Sequence, residues 1–226
     1  MSTDRCVPCT VPFRQPMFSL ALLWISWCIL HSLLIAAPVT TWIREKGGFL
    51  QGAYRLFYVF FSTCTLIPIV WYQYSLPQKL LFSWHGWWHL AQFFLLTYAL
   101  IVFWYGKRNY DMEYFLGISQ WQQYRRGKPA RSLPFSCSGI LQYVRHPWYS
   151  GGMALLWAFG PITDVSLLTK IILSLYLVAG TLLEEHKLRR ELGDIYVRYC
   201  DRVPMLIPWK GKVVFTKKHL HAPRSS

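Results

Sequence analysis

Residues 142–187 read QYVRHPWYSGGMALLWAFGPITDVSLLTKIILSLYLVAGTLLEEHK, and the fold turns on this stretch. A cationic start (Arg145, His146, Pro147) leads into an apolar run that breaks at Gly160 and Pro161. A second apolar run follows and ends on two adjacent carboxylates, Glu184 and Glu185. At about 1.5 Å per helical residue, legs of about sixteen and about nineteen residues have similar lengths, so both feet meet on one side of a membrane. Arg and His facing Glu and Glu at a bilayer edge is a costly arrangement, because ionisable groups near hydrocarbon need partners or a task.

The rest of the chain has the same apolar character. It has 226 residues, 54% of them hydrophobic and 18% aromatic, and a mean hydropathy of +0.23, which fits a polytopic membrane protein better than a soluble domain. Tryptophans near the ends of apolar runs (Trp24, Trp71, Trp84, Trp87, Trp88, Trp104, Trp148) fit the aromatic belts of a bilayer. The net charge of +14 lies beside those runs, where it sets orientation and meets anionic lipid headgroups; nucleic acid is not an expected partner. Cys6 and Cys9 form a lone CxxC with no second pair, and they read as two thiols on a tail.

Taken in order, residues 1–16, with Pro8, Pro12 and Pro16, read as an irregular tail; 17–209 as one membrane domain; and 210–226 as a basic tail. Within the domain, Met17–Ala37, Ala53–Tyr74 and His85–Tyr105 are three spans, and the two hairpin legs bring the total to about five in an all-α fold. A short basic turn (Arg44, Lys46) joins the first two. The segment YFLGISQWQQY (114–124) is predicted to lie along the interface as an amphipathic helix. The last span continues as a helix to Gly193, and Val203–Pro208 is extended and apolar enough to dock on the surface. Residues 106–145 carry seven Lys or Arg and the tail after Glu185 carries ten, so both are expected in the cytoplasm, with the N-terminus outside.

That topology gathers His31, Arg55, Asp111, Tyr143, Arg145, His146, Tyr149, Glu184, Glu185, Tyr196 and Tyr199 at the cytoplasmic face. Carboxylates for ribose hydroxyls or an ammonium, an arginine for a carboxylate, and aromatic rings for an adenine or a sulfonium describe a site for S-adenosyl-L-methionine. A metal centre on His146, Glu184 and Glu185 is the weaker reading, because competing cations crowd those ligands. Arg55 is placed to share a polar pocket with His31.

Three pieces in order, QYVRHPWYSGG, LEEHKL and GDIYVRYCDRVPMLIP, resemble the C-terminal signature of the isoprenylcysteine carboxyl methyltransferase and phospholipid methyltransferase superfamily. HSLL in the first span, YRLFY at the start of the second and the lead-in RRGKPARSLPF resemble its methanethiol S-methyltransferase and NnrU-like branch, although DMEYFLGISQ (111–120) departs from that branch. The resemblance implies a methyltransferase with Tyr143, Arg145, His146, Pro147, Tyr149, Glu184 and Glu185 around the cofactor. Its methyl acceptor, small or lipophilic, would enter through the membrane. Arg55 or Arg145 would hold the acceptor anion, and His31 or His146 would take its proton. A small thiol is the expected acceptor and an isoprenylcysteine-type carboxylate the alternative. A non-catalytic accessory or transport protein and a membrane reductase are readings from other classes; for the reductase the sequence holds no Gly-rich nicotinamide fingerprint.

Overall fold

Four apolar runs fold as four helices long and apolar enough to cross a membrane. They are α1 (Arg14–Ile35), α3 (Gly48–Ser75), α4 (Trp88–Asn109) and α8 (Asp164–Leu192). The computed structural model describes residues 14–128 and 136–213, so Cys6, Cys9 and most of both tails lie outside the described residues. Outward-facing Phe60, Trp71, Phe93, Phe94, Leu175 and Leu183 are all exposed, as lipid-facing side chains would be.

Inside, polar side chains lock the helices together. Trp24 Nε1 of α1 donates to Gln73 Oε1 of α3 at 3.1 Å, and Thr169 Oγ1 of α8 donates to the same oxygen at 2.8 Å. Leu20, Trp24, Ile69 and Val165 pack as a buried cluster around this bond set. In a membrane such bonds replace the hydrophobic drive that water gives a soluble core.

The second hairpin leg follows its expectation, and the first, which from Trp148 to Gly160 is short for a full crossing, forms a short helix. The helix α8 starts on a capping box, Thr163 Oγ1 accepting from the Ser166 amide and Ser166 Oγ from that of Thr163, and it runs on to Gly193. The first leg, α7 (Pro147–Ala158), has only 12 residues against 29 in α8. It nonetheless runs antiparallel to α4 over most of that helix, since Trp148 lies against Gly106 at one end and Gln92 Nε2 donates to Ala158 O at the other. Its unpaired C-terminal carbonyls are met by Lys170, whose Nζ donates to Leu156 O at 2.5 Å, Phe159 O at 3.0 Å and Trp157 O at 3.3 Å.

Several local features differ from the sequence reading. Residues 37–46 form a helix, α2 (Ala37–Lys46), where a turn is expected, because the sequence TTWIREK contains no breaker until Gly47. The fold is not purely helical: β1 (Leu80–Phe82) pairs antiparallel with β2 (Ile162–Thr163), tying the turn before α4 to the turn of the hairpin. The interfacial helix is two helices, α5 (Met112–Leu116) and α6 (Ile118–Arg125), split at Gly117. A Cβ there would sit 2.7 Å from the Leu56 amide, so glycine lets this pair close down on α3. Residues 194–202 form a further helix, α9 (Asp194–Arg202), which the sequence reading left within the tail.

Candidate active site

Adjacent residues on a helix point about 100° apart. Glu184 and Glu185, about two turns before the end of α8, therefore face different surroundings.

Glu185 is buried, and its carboxylate is bonded on several sides. Oε1 accepts from His146 Nε2 at 2.7 Å, Arg145 Nε at 2.8 Å and the Tyr196 hydroxyl at 2.9 Å, while Cys200 Sγ lies 3.4 Å from Oε2. Arg145 spends another nitrogen on the carbonyls of Cys200 and Val203, at 2.8 and 2.6 Å. The extended strip after α9 closes the ring: the amides of Arg145 and His146 donate to Pro204 O and Met205 O at 3.0 and 3.1 Å, and Ser150 Oγ donates to Leu206 O. Burial and the Glu185 charge push the Tyr196 hydroxyl up, and it stays a donor. Burial also pushes the Cys200 thiol up to about 11, with the Arg145 guanidinium acting against it and Glu185 reinforcing it.

Glu184 is 42% exposed. Near it are the Tyr149 hydroxyl and, at 3.8 Å, His146 Nδ1. Desolvation, and then the Glu184 charge, push the nearby Tyr110 hydroxyl up to about 12. Trp148 lies edge-on to Tyr110 and stacks 7° from parallel with Phe115, so the residue that caps α4 joins rings from α5 and α7 in one cluster. The Tyr149 ring lies on α8 at Gly180, where a Cβ would stand 3.2 Å from its Cε1.

The remaining expected residues divide. Pro147 is buried at the first turn of α7 and fixes where that helix begins. Tyr143 faces elsewhere, lining a cavity of about 510 Å³ with Tyr98, Ile101, Val102 and Lys212. His31 does not reach the hairpin feet. It sits between α1, α3 and α8, with Nε2 2.7 Å from the Tyr58 hydroxyl and Nδ1 3.2 Å from Ser62 Oγ. Arg55 does not bond to His31; its guanidinium lies over the Tyr58 ring at 5.7 Å and its Nε donates to Phe115 O at 2.9 Å. Tyr110, Trp148, Ser62 and Tyr176 were missed as site residues. For Tyr176 the available signal was a hydroxyl two helical turns before Glu184 on the same span.

A donor set of one accessible carboxylate, phenol hydroxyls and stacked rings suits a cationic, adenine-bearing molecule; among the described residues no group of three metal-ligating side chains comes together.

The chain is similar to methanethiol S-methyltransferase 1 of Bradyrhizobium diazoefficiens, 28% identical over 199 residues, which is 85% of this chain and 67% of that protein. It is similar to methanethiol S-methyltransferase of Mycobacterium tuberculosis, 27% identical over 69% of this chain and 64% of the relative. It is also similar to the Crocosphaera subtropica protein of that name, 34% identical over 42% of this chain and 38% of the relative. The matched stretches thus span about two thirds or less of those relatives' lengths. No solved structure matches the chain. A family model described as NnrU protein matches residues 19–201, from the first turns of α1 to the end of α9, and the chain belongs to that family.

Proposed function

We propose that this protein is a membrane methyltransferase that moves a methyl group from S-adenosyl-L-methionine to the sulfur of a small thiol, methanethiol being the acceptor named for its relatives. The observation that carries the reading is the split between the two carboxylates: one is consumed in holding the hairpin feet together, and its neighbour is left part-exposed beside the Tyr110 and Tyr149 phenols. Bound there, the cofactor supplies a methyl group on a cationic sulfonium. Glu184, Tyr149 and His146 would hold its polar groups, and Tyr110 and Trp148 would stack against its base. Arg145, Glu185 and Pro147 act as positioning residues, fixing the His146 ring and the start of α7. The chain's part in catalysis is alignment of the two reactants and exclusion of water.

The same proposal includes five crossings, with α7 and the strand turn after it making the fourth, and a cytoplasmic C-terminus. The fourth crossing rests on the run of α7 beside α4 and on Lys170, which pairs carbonyls that lipid could not. Membrane lipids are expected around the exposed apolar faces.

The test is direct. Purified protein in lipid nanodiscs, given methyl-labelled S-adenosyl-L-methionine and methanethiol, is expected to release labelled dimethyl sulfide. Label on a farnesylcysteine analogue as a base-labile ester would favour carboxyl methylation. No cofactor binding and no transfer to either would favour the non-catalytic accessory reading.

A further inference from the structure

One polar cluster inside the membrane helices is not explained by the hairpin feet. His31 lies a turn from the end of α1, half-buried, its ring stacked on Trp27 at 4.8 Å and edge-on to Tyr176 at 6.3 Å. The groups that face it are Cys28 and Ser32 from α1, Tyr54, Arg55, Tyr58 and Ser62 from α3, and Tyr176 from α8, whose hydroxyl accepts from Ser32 Oγ at 3.1 Å. Among these described neighbours no carboxylate appears. A tyrosine O–H donating to Nε2 satisfies both ring nitrogens, because Nδ1–H then donates to Ser62 Oγ.

The cluster shares α8 with the candidate cofactor site. Tyr176 is within electrostatic reach of Tyr149, which lies near Glu184, and eight residues of α8, about 12 Å, separate Tyr176 from Glu184. The Tyr149 ring packs on Gly180 within that interval, one turn beyond Tyr176.

We propose that the Tyr58–His31 pair is the proton acceptor for the incoming thiol. This rests on the reading of the protein as a thiol methyltransferase. The thiol enters neutral from the bilayer and donates its S–H to the Tyr58 oxygen, while Tyr58 passes its own proton to His31 Nε2. The sulfur lone pair forms the new S–C bond as the donor's C–S bond breaks. The products are a thioether, the neutral demethylated donor and an imidazolium. Before and after the step the site holds one positive charge, which moves from sulfonium to His31. No free anion has to be stripped of water, a step that costs several kcal/mol in a dry site. Arg55, 5.7 Å above the Tyr58 ring, favours the anionic character that develops at sulfur and oxygen, and it opposes retention of the proton on His31, which therefore leaves toward the nearer water face.

The test compares His31→Gln and Tyr58→Phe with the unaltered protein in nanodiscs. Gln keeps an acceptor for the Tyr58 hydroxyl but cannot take its proton, and Phe keeps the packing. Both variants are expected to bind labelled S-adenosyl-L-methionine as the unaltered protein does and to lose about 10²- to 10³-fold in kcat/KM for methanethiol at pH 7. In both, activity should then climb about tenfold per pH unit toward pH 9, because only thiolate formed in solution reacts, a thiol pKa being about 8 to 10. The unaltered protein should level off well below that pH. Should His31→Gln not fold, Tyr58→Phe alone decides, by the same slope. Transfer that persists in the variants with the unaltered pH profile, or that falls by one factor at every pH, overturns the assignment and leaves the methyltransferase standing. An unaltered protein that transfers no methyl group removes both.

Discussion

Glu184 and Glu185 are the same side chain one residue apart, yet one is a structural member and the other is available to a ligand. Glu185 gathers three donors on a single oxygen and is 7% exposed; Glu184 is 42% exposed and has a phenol and a distant imidazole for company. In a dry environment the number of donors around a carboxylate separates a group with free bonding capacity from one with none.

The comparison breaks if the two carboxylates respond alike to neutralisation. Glu185→Ala is expected to be the largest perturbation, because it leaves the buried Arg145 charge and the His146 ring without their common acceptor. Loss of one partner from a buried ion pair costs about 3 to 5 kcal/mol, which a fall in the thermal unfolding midpoint in detergent would register. Glu184→Gln should leave that midpoint where it was and weaken S-adenosyl-L-methionine binding by about ten- to a hundredfold, the worth of one charged hydrogen bond of about 1.5 to 3 kcal/mol, read by equilibrium dialysis. Tyr149→Phe removes only the hydroxyl near Glu184 and sharpens the contrast at lower cost. About 0.5 to 1.5 kcal/mol of cofactor affinity should go, again with no change in unfolding. Smallest in energy is the response of Cys200. With its thiol pushed up to about 11, only about a thousandth is thiolate at pH 8, so a maleimide should label it slowly, and faster in a Glu185→Gln variant that has lost the carboxylate beside it. Cys137 is buried and Cys200 part-buried, so labelling at those positions reports opening of this region more than membrane sidedness; a cysteine in place of the exposed Asp201 is the better topological probe.

The amino-acid pattern revealed most of the spans because period and length are local properties. Met17–Ala37 and Ala53–Tyr74 lie on α1 and α3 apart from their ends, and α8 continues to Gly193 as its leucine stripe implies. The strand pair between residues 80–82 and 162–163 was hidden, since two short segments eighty positions apart carry no mutual signal. At the hairpin feet, residue types were legible and assignments were not. RHP and EE announce charge at a membrane edge, but which glutamate is saturated depends on Tyr196 and on the Val203–Leu206 strip, whose carbonyls have no sequence identity of their own. Arg145 read as a residue for an acceptor for the same reason: its partners are largely backbone. His31 and Arg55 were legible as polar residues within spans, and the tyrosine that stands between them became visible only when α1 and α3 packed.

Lys170 has one more consequence, for how the protein is made. A lysine seven positions into α8 is a poor companion for lipid while that helix is alone, and the last carbonyls of α7 are equally poor ones while α7 is alone. Each supplies what the other lacks. The two segments, joined by a turn of a few residues, are therefore expected to enter the membrane as a pair, which brings the charged feet together before α9 seals them.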